Sequence, residues 1–228
     1  MSVIIVATVL SPSFVLAADA APQDRPSFDC RKAVSPAEKT ICANVELSRL
    51  DFRLSKIWKT MLNDFDLDDG QKTLIRSDQN AWLAQRNQCS DDADCIGKLY
   101  RNRLSSLNGT DPAYRFSGQY GVKNFGGLTL YPIGPRYLVA IQTAHPEDAR
   151  WVCQLNGEAR PKGDVLEITV EGSVFQARQQ DAETLVIPND QSTQSAASKF
   201  CGFNGTFAES YHRVNLNLQS SNPRKGQQ

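Results

Sequence analysis

The sequence predicts an α+β chain of two domains: a disulfide-stapled antiparallel helical hairpin, then a small antiparallel β-barrel or sandwich. Three observations predict it. Apolar residues recur with a period near 3.6 up to about residue 107, and beyond residue 113 short alternating runs punctuated by Gly and Pro take over. Between the two, "LNGTDPAY" supplies a helix stop and a turn at Gly109, Asp111 and Pro112. Finally, six cysteines (Cys30, Cys42, Cys89, Cys95, Cys153 and Cys201) form an even set in a chain whose start reads as an export signal, which implies disulfides.

That start is "MSVIIVATVLSPSFVLAADAAPQ". Its uncharged run is broken by Ser11, Pro12 and Ser13, too short a stretch to match a membrane span of about 20 apolar residues. It ends on the A-x-A site Ala18-Asp19-Ala20, so residues 1–20 read as a secretory signal peptide, though one lacking Lys or Arg before the apolar run. No cysteine sits just after the cleavage region, so the expected location is the periplasm or the medium, without a lipid anchor. The 228 residues suit one large or two small domains. Lys+Arg and Asp+Glu balance at 25 each, which argues against a nucleic-acid binder with its basic stripe.

The helical domain is expected over 27–109. "SPAEKTIC" is a capping box with Ser35 as N-cap, Pro36 at the first helical position and Glu38 three residues on. The first helix carries Leu47, Leu50, Leu54, Trp58, Met61 and Phe65 on one stripe. "DFDLDDG" breaks it. A second helix follows through Leu74, Ile75, Trp82 and Leu83. After "CSDDADC", Ile96, Leu99, Tyr100, Arg103 and Leu107 are expected to continue that helix with a kink. Asp64, Asp66 and Asp68 fall at positions 1, 3 and 5 of a calcium loop, but Asp69 stands where Gly is needed and Ile75 where the bidentate Glu belongs. The segment reads as a solvated acidic turn. A second acidic run holds Asp91, Asp92 and Asp94.

Within "DQNAWLAQRNQC", Gln79, Trp82, Arg86 and Cys89 share one helix stripe. Asp51 interrupts the apolar face of the first helix. Folding the hairpin about residues 66–70 brings Asp51 level with residues near 85, which predicts a buried Asp51–Arg86 pair that sets register. The functional alternative makes Arg86 an anion anchor in a cleft. The four cysteines of this domain allow three connectivities. The hairpin favours nested Cys42–Cys89 and Cys30–Cys95, followed by Cys42–Cys95 with Cys30–Cys89; local Cys30–Cys42 and Cys89–Cys95 pairs are possible but staple less. Their spacings do not fit a zinc module.

The all-β domain is expected over 113–216, with strands at 115–121, 128–132, 136–143, 151–155, 165–170, 174–178, 184–187 and 206–214. "FSGQY" and "FAESY" share Phe-x3-Tyr spacing, which puts both aromatics on one face and suits first and last strands closing a barrel. Cys153 and Cys201 should bridge. Gly126-Gly127 and Asn204-Gly205 mark turns. Residues 190–198 read as a polar loop, and 217–228 as a disordered tail.

No G-x-S-x-G, H-E-x-x-H, P-loop or G-x-G-x-x-G motif is present. His145 falls on a turn before Pro146 and His212 within the last strand. Oxidised cysteines offer no thiolate nucleophile. The chain is therefore read as a non-enzyme with no cofactor and no metal.

The segments "FDCRKAVSPAEKTIC", "ELSRLDFRL" and "QNAWLAQRNQC", with a further Cys and "LYRNRLSSL", resemble the N-terminal domain of LprI-type lysozyme inhibitors over residues 28–107. The resemblance carries the family's hallmark positions onto Cys30, Cys42, Leu50, Asp51, Gln79, Trp82, Arg86, Cys89 and Cys95. It implies an exported bacterial helical domain whose named activity is lysozyme inhibition, with lysozyme as partner. Ser117-Gly118-Gln119-Tyr120 is also similar, one residue short, to the Ser-Gly-x-x-Tyr element of another class of bacterial lysozyme inhibitors, themselves small β-barrels. The expected function is occlusion of the lysozyme cleft, with Arg136, His145 and Arg150 as loop side chains offered to its two carboxylates. The alternative is a periplasmic protein- or ligand-binding or envelope-stress module with no lysozyme target.

Overall fold

A computed structural model describes residues 24–63 and 67–214. The signal-peptide reading, Asp64, Phe65, Asp66 and the expected tail at 217–228 lie outside the described residues. The architecture is a set of helices laid on the outer wall of an eight-stranded antiparallel barrel.

The helices are α1 (Pro36–Ala43), α2 (Val45–Leu62), α3 (Asp69–Gln88) and α4 (Ala93–Leu107). The Ser35–Glu38 capping box forms as the sequence predicts: Ser35 Oγ accepts from Glu38 N–H, and Glu38 accepts from the Ser35 N–H. The Ser35 and Val34 N–H groups, both donating to it, hold the Glu38 carboxyl below its usual range. Two expectations need correction. The first helix breaks at Asn44, whose side chain accepts from Leu47 N–H and so caps α2 afresh. The expected kinked second helix is instead a full reversal. Ser90 takes a left-handed φ of 55°, and Asp92 caps α4 by accepting from Asp94 and Cys95 N–H at 3.0 Å. Trp82 of α3 then meets Tyr100 of α4 edge-on, with ring centres 5.0 Å apart.

The disulfides correct a third expectation. The nested pairing does not occur: Cys30 pairs with Cys42 and Cys89 with Cys95. Each bridge closes a local loop, at the entry to α1 and at the α3–α4 reversal. Cys153 and Cys201 bridge as expected.

The strands are β1 (Gly118–Val122), β2 (Gly126–Ile133), β3 (Arg136–Ala144), β4 (Val152–Lys162), β5 (Val165–Val170), β6 (Ser173–Gln179), β7 (Thr184–Val186) and β8 (Ser210–Arg213). Each pairs with the next, and β1 pairs with β8 through Tyr120↔Arg213 and Gly121↔His212, so the sheet closes. The two Phe-x3-Tyr motifs serve this closure. Tyr120 Oη donates to the Phe116 carbonyl and Tyr211 Oη to the Phe207 carbonyl, and all four rings are buried. The segment expected as a polar loop at 190–198 is helix α5 (Gln191–Phe200), capped by Asp190 accepting from Thr193 N–H. Thr193, Ala196 and Ala197 give it a narrow buried stripe that a loop reading misses.

Burial along the strands shows where the helices lie. On β5 and β6 buried residues largely alternate with more exposed ones, as a barrel wall facing water should. β2 is buried without a break from Leu128 to Pro132, and β3 from Tyr137 to Ile141. Their inward side chains join the barrel core. Their outward ones (Tyr131, Leu138, Ala140) join the core of the helices, alongside Leu54, Ile75, Tyr100 and Leu107. Gln71 of α3 adds polar contacts to the same wall: Nε2 donates to the Val139 and Gly157 carbonyls, and Oε1 accepts from Asn156 Nδ2. Arg213 of β8 ties the end of α4 to the barrel seam, donating to the carbonyls of Asn108, Arg115 and Ser117. Gly118 makes room for it, since a Cβ there would sit 2.7 Å from the guanidinium.

Candidate functional site

Asp51, four residues after Leu47 on the apolar face of α2, is only 6% exposed, and Arg86 of α3 only 4%. The structure brings them together through a third residue. Tyr100 Oη donates to Asp51 Oδ1 at 2.7 Å and accepts from Arg86 Nη1 at 3.0 Å; the direct charge separation is 4.0 Å. The second Asp51 oxygen accepts the Ser27 backbone N–H at 2.6 Å. Arg86 spends its other donors, Nε and Nη2, on Asn87 Oδ1. Every charge is compensated, which is what burial demands. Tyr100 is pushed well above the usual tyrosine range, first by burial and then by the Asp51 carboxylate beside it.

This arrangement recurs. Asp78 of α3, Tyr131 of β2 and Arg103 of α4 form a second Asp–Tyr–Arg set, in which Arg103 Nη2 donates to Asp78 Oδ2 and to Tyr131 Oη, and Tyr131 Oη donates to Asp78. The first set fixes the helices to one another. The second fixes them to the barrel. Neither tyrosine hydroxyl was legible as a relay, since Tyr100 and Tyr131 read simply as apolar positions.

Asp51 and Arg86 of the first set line a cleft of about 410 Å³ between α2 and α3, whose walls include Trp58, Lys59, Gln79, Asn80 and Trp82. The hallmark residues Asp51, Gln79, Trp82 and Arg86 therefore converge on one place. Trp58 Nε1 and Gln79 Oε1 are buried and have no hydrogen-bond partner among the described residues. Arg86 is too fully engaged to act as an anion anchor, and Glu38, Asp51, Lys59 and Arg86 leave the cleft with balanced charge.

The three cationic loop candidates do not form one surface. Arg136 opens β3 and pairs with Glu158 at 2.9 Å. His145 and Arg150 follow the far end of β3, about 27 Å away for nine residues of strand. There His145 Nδ1 lies 2.7 Å from Asp148 Oδ1, and Arg150 Nη2 lies 2.5 Å from His145 Nε2. The Asp148 carboxyl is held below its usual range, chiefly by the Arg150 backbone N–H. Ser117, in the segment similar to a Ser-Gly-x-x-Tyr element, is wholly buried at the barrel seam and presents nothing to a partner.

His212 sits within β8 beside Thr184. All cysteines of the described residues are in disulfides. No helix of the described residues is long and apolar enough to cross a membrane.

Comparison with known proteins places the helical half. The family model described as "Lysozyme inhibitor LprI" matches residues 30–112. Proteins named "Lipoprotein LprI" from Mycobacterium bovis and Mycobacterium tuberculosis are each 29% identical over 90 residues, covering 38% of this chain and 43% of theirs. The chain thus spans less than half the length of these curated relatives, and the barrel lies outside the family match. No solved structure matches the chain.

Proposed function

From the premise that residues 30–112 form a domain of the LprI lysozyme-inhibitor family, we propose that this is an exported bacterial protein that binds lysozyme and occludes its active-site cleft. One observation carries the reading: the hallmark residues Asp51, Gln79, Trp82 and Arg86 line a single cleft between α2 and α3. Export is supported by three disulfides, which persist in oxidising compartments, and by the A-x-A-terminated apolar start of the chain. We place the protein in the periplasm or the medium.

Lysozyme cleaves a polysaccharide held in a groove between two carboxyl groups. A protein that seats a rigid projection in that groove excludes substrate without any chemistry of its own. Of the cationic candidates, His145 and Arg150 share one end of the barrel and can enter such a groove together; Arg136 cannot join them. The test is a cell-wall lysis assay with the mature protein titrated against c-type, g-type and i-type lysozymes. Inhibition at or below micromolar concentration supports the reading. Undiminished lysis by every type would refute it.

A second reading rests on the cleft itself. Its balanced charge and mixed polar and apolar lining suit a small neutral polar ligand, as an envelope ligand-binding module would need.

A further inference from the structure

At one end of the barrel the chain makes a tight turn, Gly202-Phe203-Asn204-Gly205, and sets a phenylalanine at its tip. Phe203 is 90% exposed, more than any other large apolar residue described. The turn beneath it is strongly constrained. Cys201, the residue before it, is bonded to Cys153 of β4. Gly202 N–H donates to the Val152 carbonyl, and Gly205 N–H to the Gly202 carbonyl at 2.8 Å. Asn204 holds a left-handed φ of 60°. A Cβ on Gly205 would come within 2.7 Å of Cys201 Cβ, so the path admits no side chain there. The turn rests on buried Trp151, which the rings of Phe125 and His145 support edge-on.

A phenylalanine has only two side-chain torsions to freeze, and a backbone already fixed loses little further freedom on binding. Exposed on such a mount, it serves nothing in the core of this chain. Such aromatics are the anchors of protein interfaces. Half-exposed Val152 extends the apolar surface, and Arg150, on the loop leading into β4, has a side chain 64% exposed that lies 3.8 Å from the Asp148 carboxylate. Beside the turn is a notch of about 770 Å³ lined in part by Asn189, Gln194 and Ser198, room for the rim of a partner. The turn is apolar at its exposed tip, and its support Trp151 follows directly on Arg150, whose guanidinium pairs with Asp148. A polysaccharide-cleaving groove is concave, carries apolar walls and holds two carboxyl groups.

We propose that the Phe203 turn is the element this protein inserts into the lysozyme groove. The proposal rests on the inhibitory function proposed above and names its surface: the disulfide-pinned end of the barrel, outside the segment that matches the family. The decisive comparison uses the full mature chain and its variants Phe203→Ala, Phe203→Tyr and, as a control on the helical half, Val34→Ala, whose parent residue is 81% exposed. Half-inhibitory concentrations are measured on whichever lysozyme type the parent inhibits, with thermal midpoints alongside. Phe203→Ala is expected to raise the half-inhibitory concentration roughly tenfold or more, with the midpoint unchanged. Phe203→Tyr and Val34→Ala should inhibit like the parent. If the parent inhibits and Phe203→Ala inhibits equally well, the anchor is overturned and the inhibitory reading survives. If the parent inhibits no lysozyme, both fall.

Discussion

Asp51 sits where three segments meet: its own helix, Tyr100 of α4 and the backbone of Ser27 ahead of the first disulfide. Replacing it with Asn removes the negative charge and strands Arg86, which is 4% exposed. The expected cost is about 3 kcal/mol, read from the shift in the denaturant midpoint; an unchanged midpoint would refute the buried pair. Combining Asp51→Leu with Arg86→Met should cost less than the sum of the two single changes, because the second removes the charge that the first exposes. The tyrosines make a pH prediction. Burial pushes Tyr120 up to about 12 from its usual 10.0, and raises Tyr100, Tyr131 and Tyr211 as well. A raised folded-state value means that the unfolded chain releases the proton first. The stabilisation is therefore complete below pH 10 and lost as pH climbs from 10 towards 12, at about 1.4 kcal/mol per pH unit for each such group. Denaturant midpoints measured between pH 8 and 12 should stay level and then fall above pH 10.

Elements are held by bridges of very different reach. Cys153–Cys201 spans 48 residues, Cys30–Cys42 spans 12 and Cys89–Cys95 only 6. In the chain-entropy account these correspond to about 4, about 3 and a little over 2 kcal/mol. Replacing each pair by alanines should reproduce that order in guanidinium unfolding, the barrel bridge costing most. The opposite order would show that the two local bridges matter through the native helix ends they position. Cys89–Cys95 has such a role, since it closes the reversal that turns α4 back along α3 and brings Tyr100 opposite Trp82.

Across the whole molecule, helices and barrel share one apolar cluster through Tyr131, Leu138 and Ala140. Gln71 and the Asp78–Tyr131–Arg103 set add polar contacts over the same wall. Unfolding should therefore be a single transition: hydrogen exchange of helical and barrel amides should lose protection at the same denaturant concentration. Gln71→Ala removes three hydrogen bonds across this junction and should cost about 2 kcal/mol. Two separated transitions in the parent protein would show that the wall contact is weak.

Local chemistry determined much of this by itself. The Ser35–Glu38 box, the period of the helical stripes, the alternation of β5 and β6 and the matched Phe-x3-Tyr motifs all depend on neighbours close in the chain, and each formed as the sequence predicts. So did the meeting of Asp51 with Arg86, because a charge in an apolar stripe requires a partner. Tertiary structure decided the rest. Four thiols allow three pairings until the α3–α4 reversal sets their distances, and the expected hairpin, with its second helix kinked but unbroken, chose wrongly. Tyr100 became the bridge only because that reversal carried its hydroxyl between two charges. The unbroken burial of β2 and β3, the narrow stripe of α5 and the exposed tip at Phe203 depend on what lies across space. Burial is a property of the partner surface, and no residue carries its partner in its own side chain.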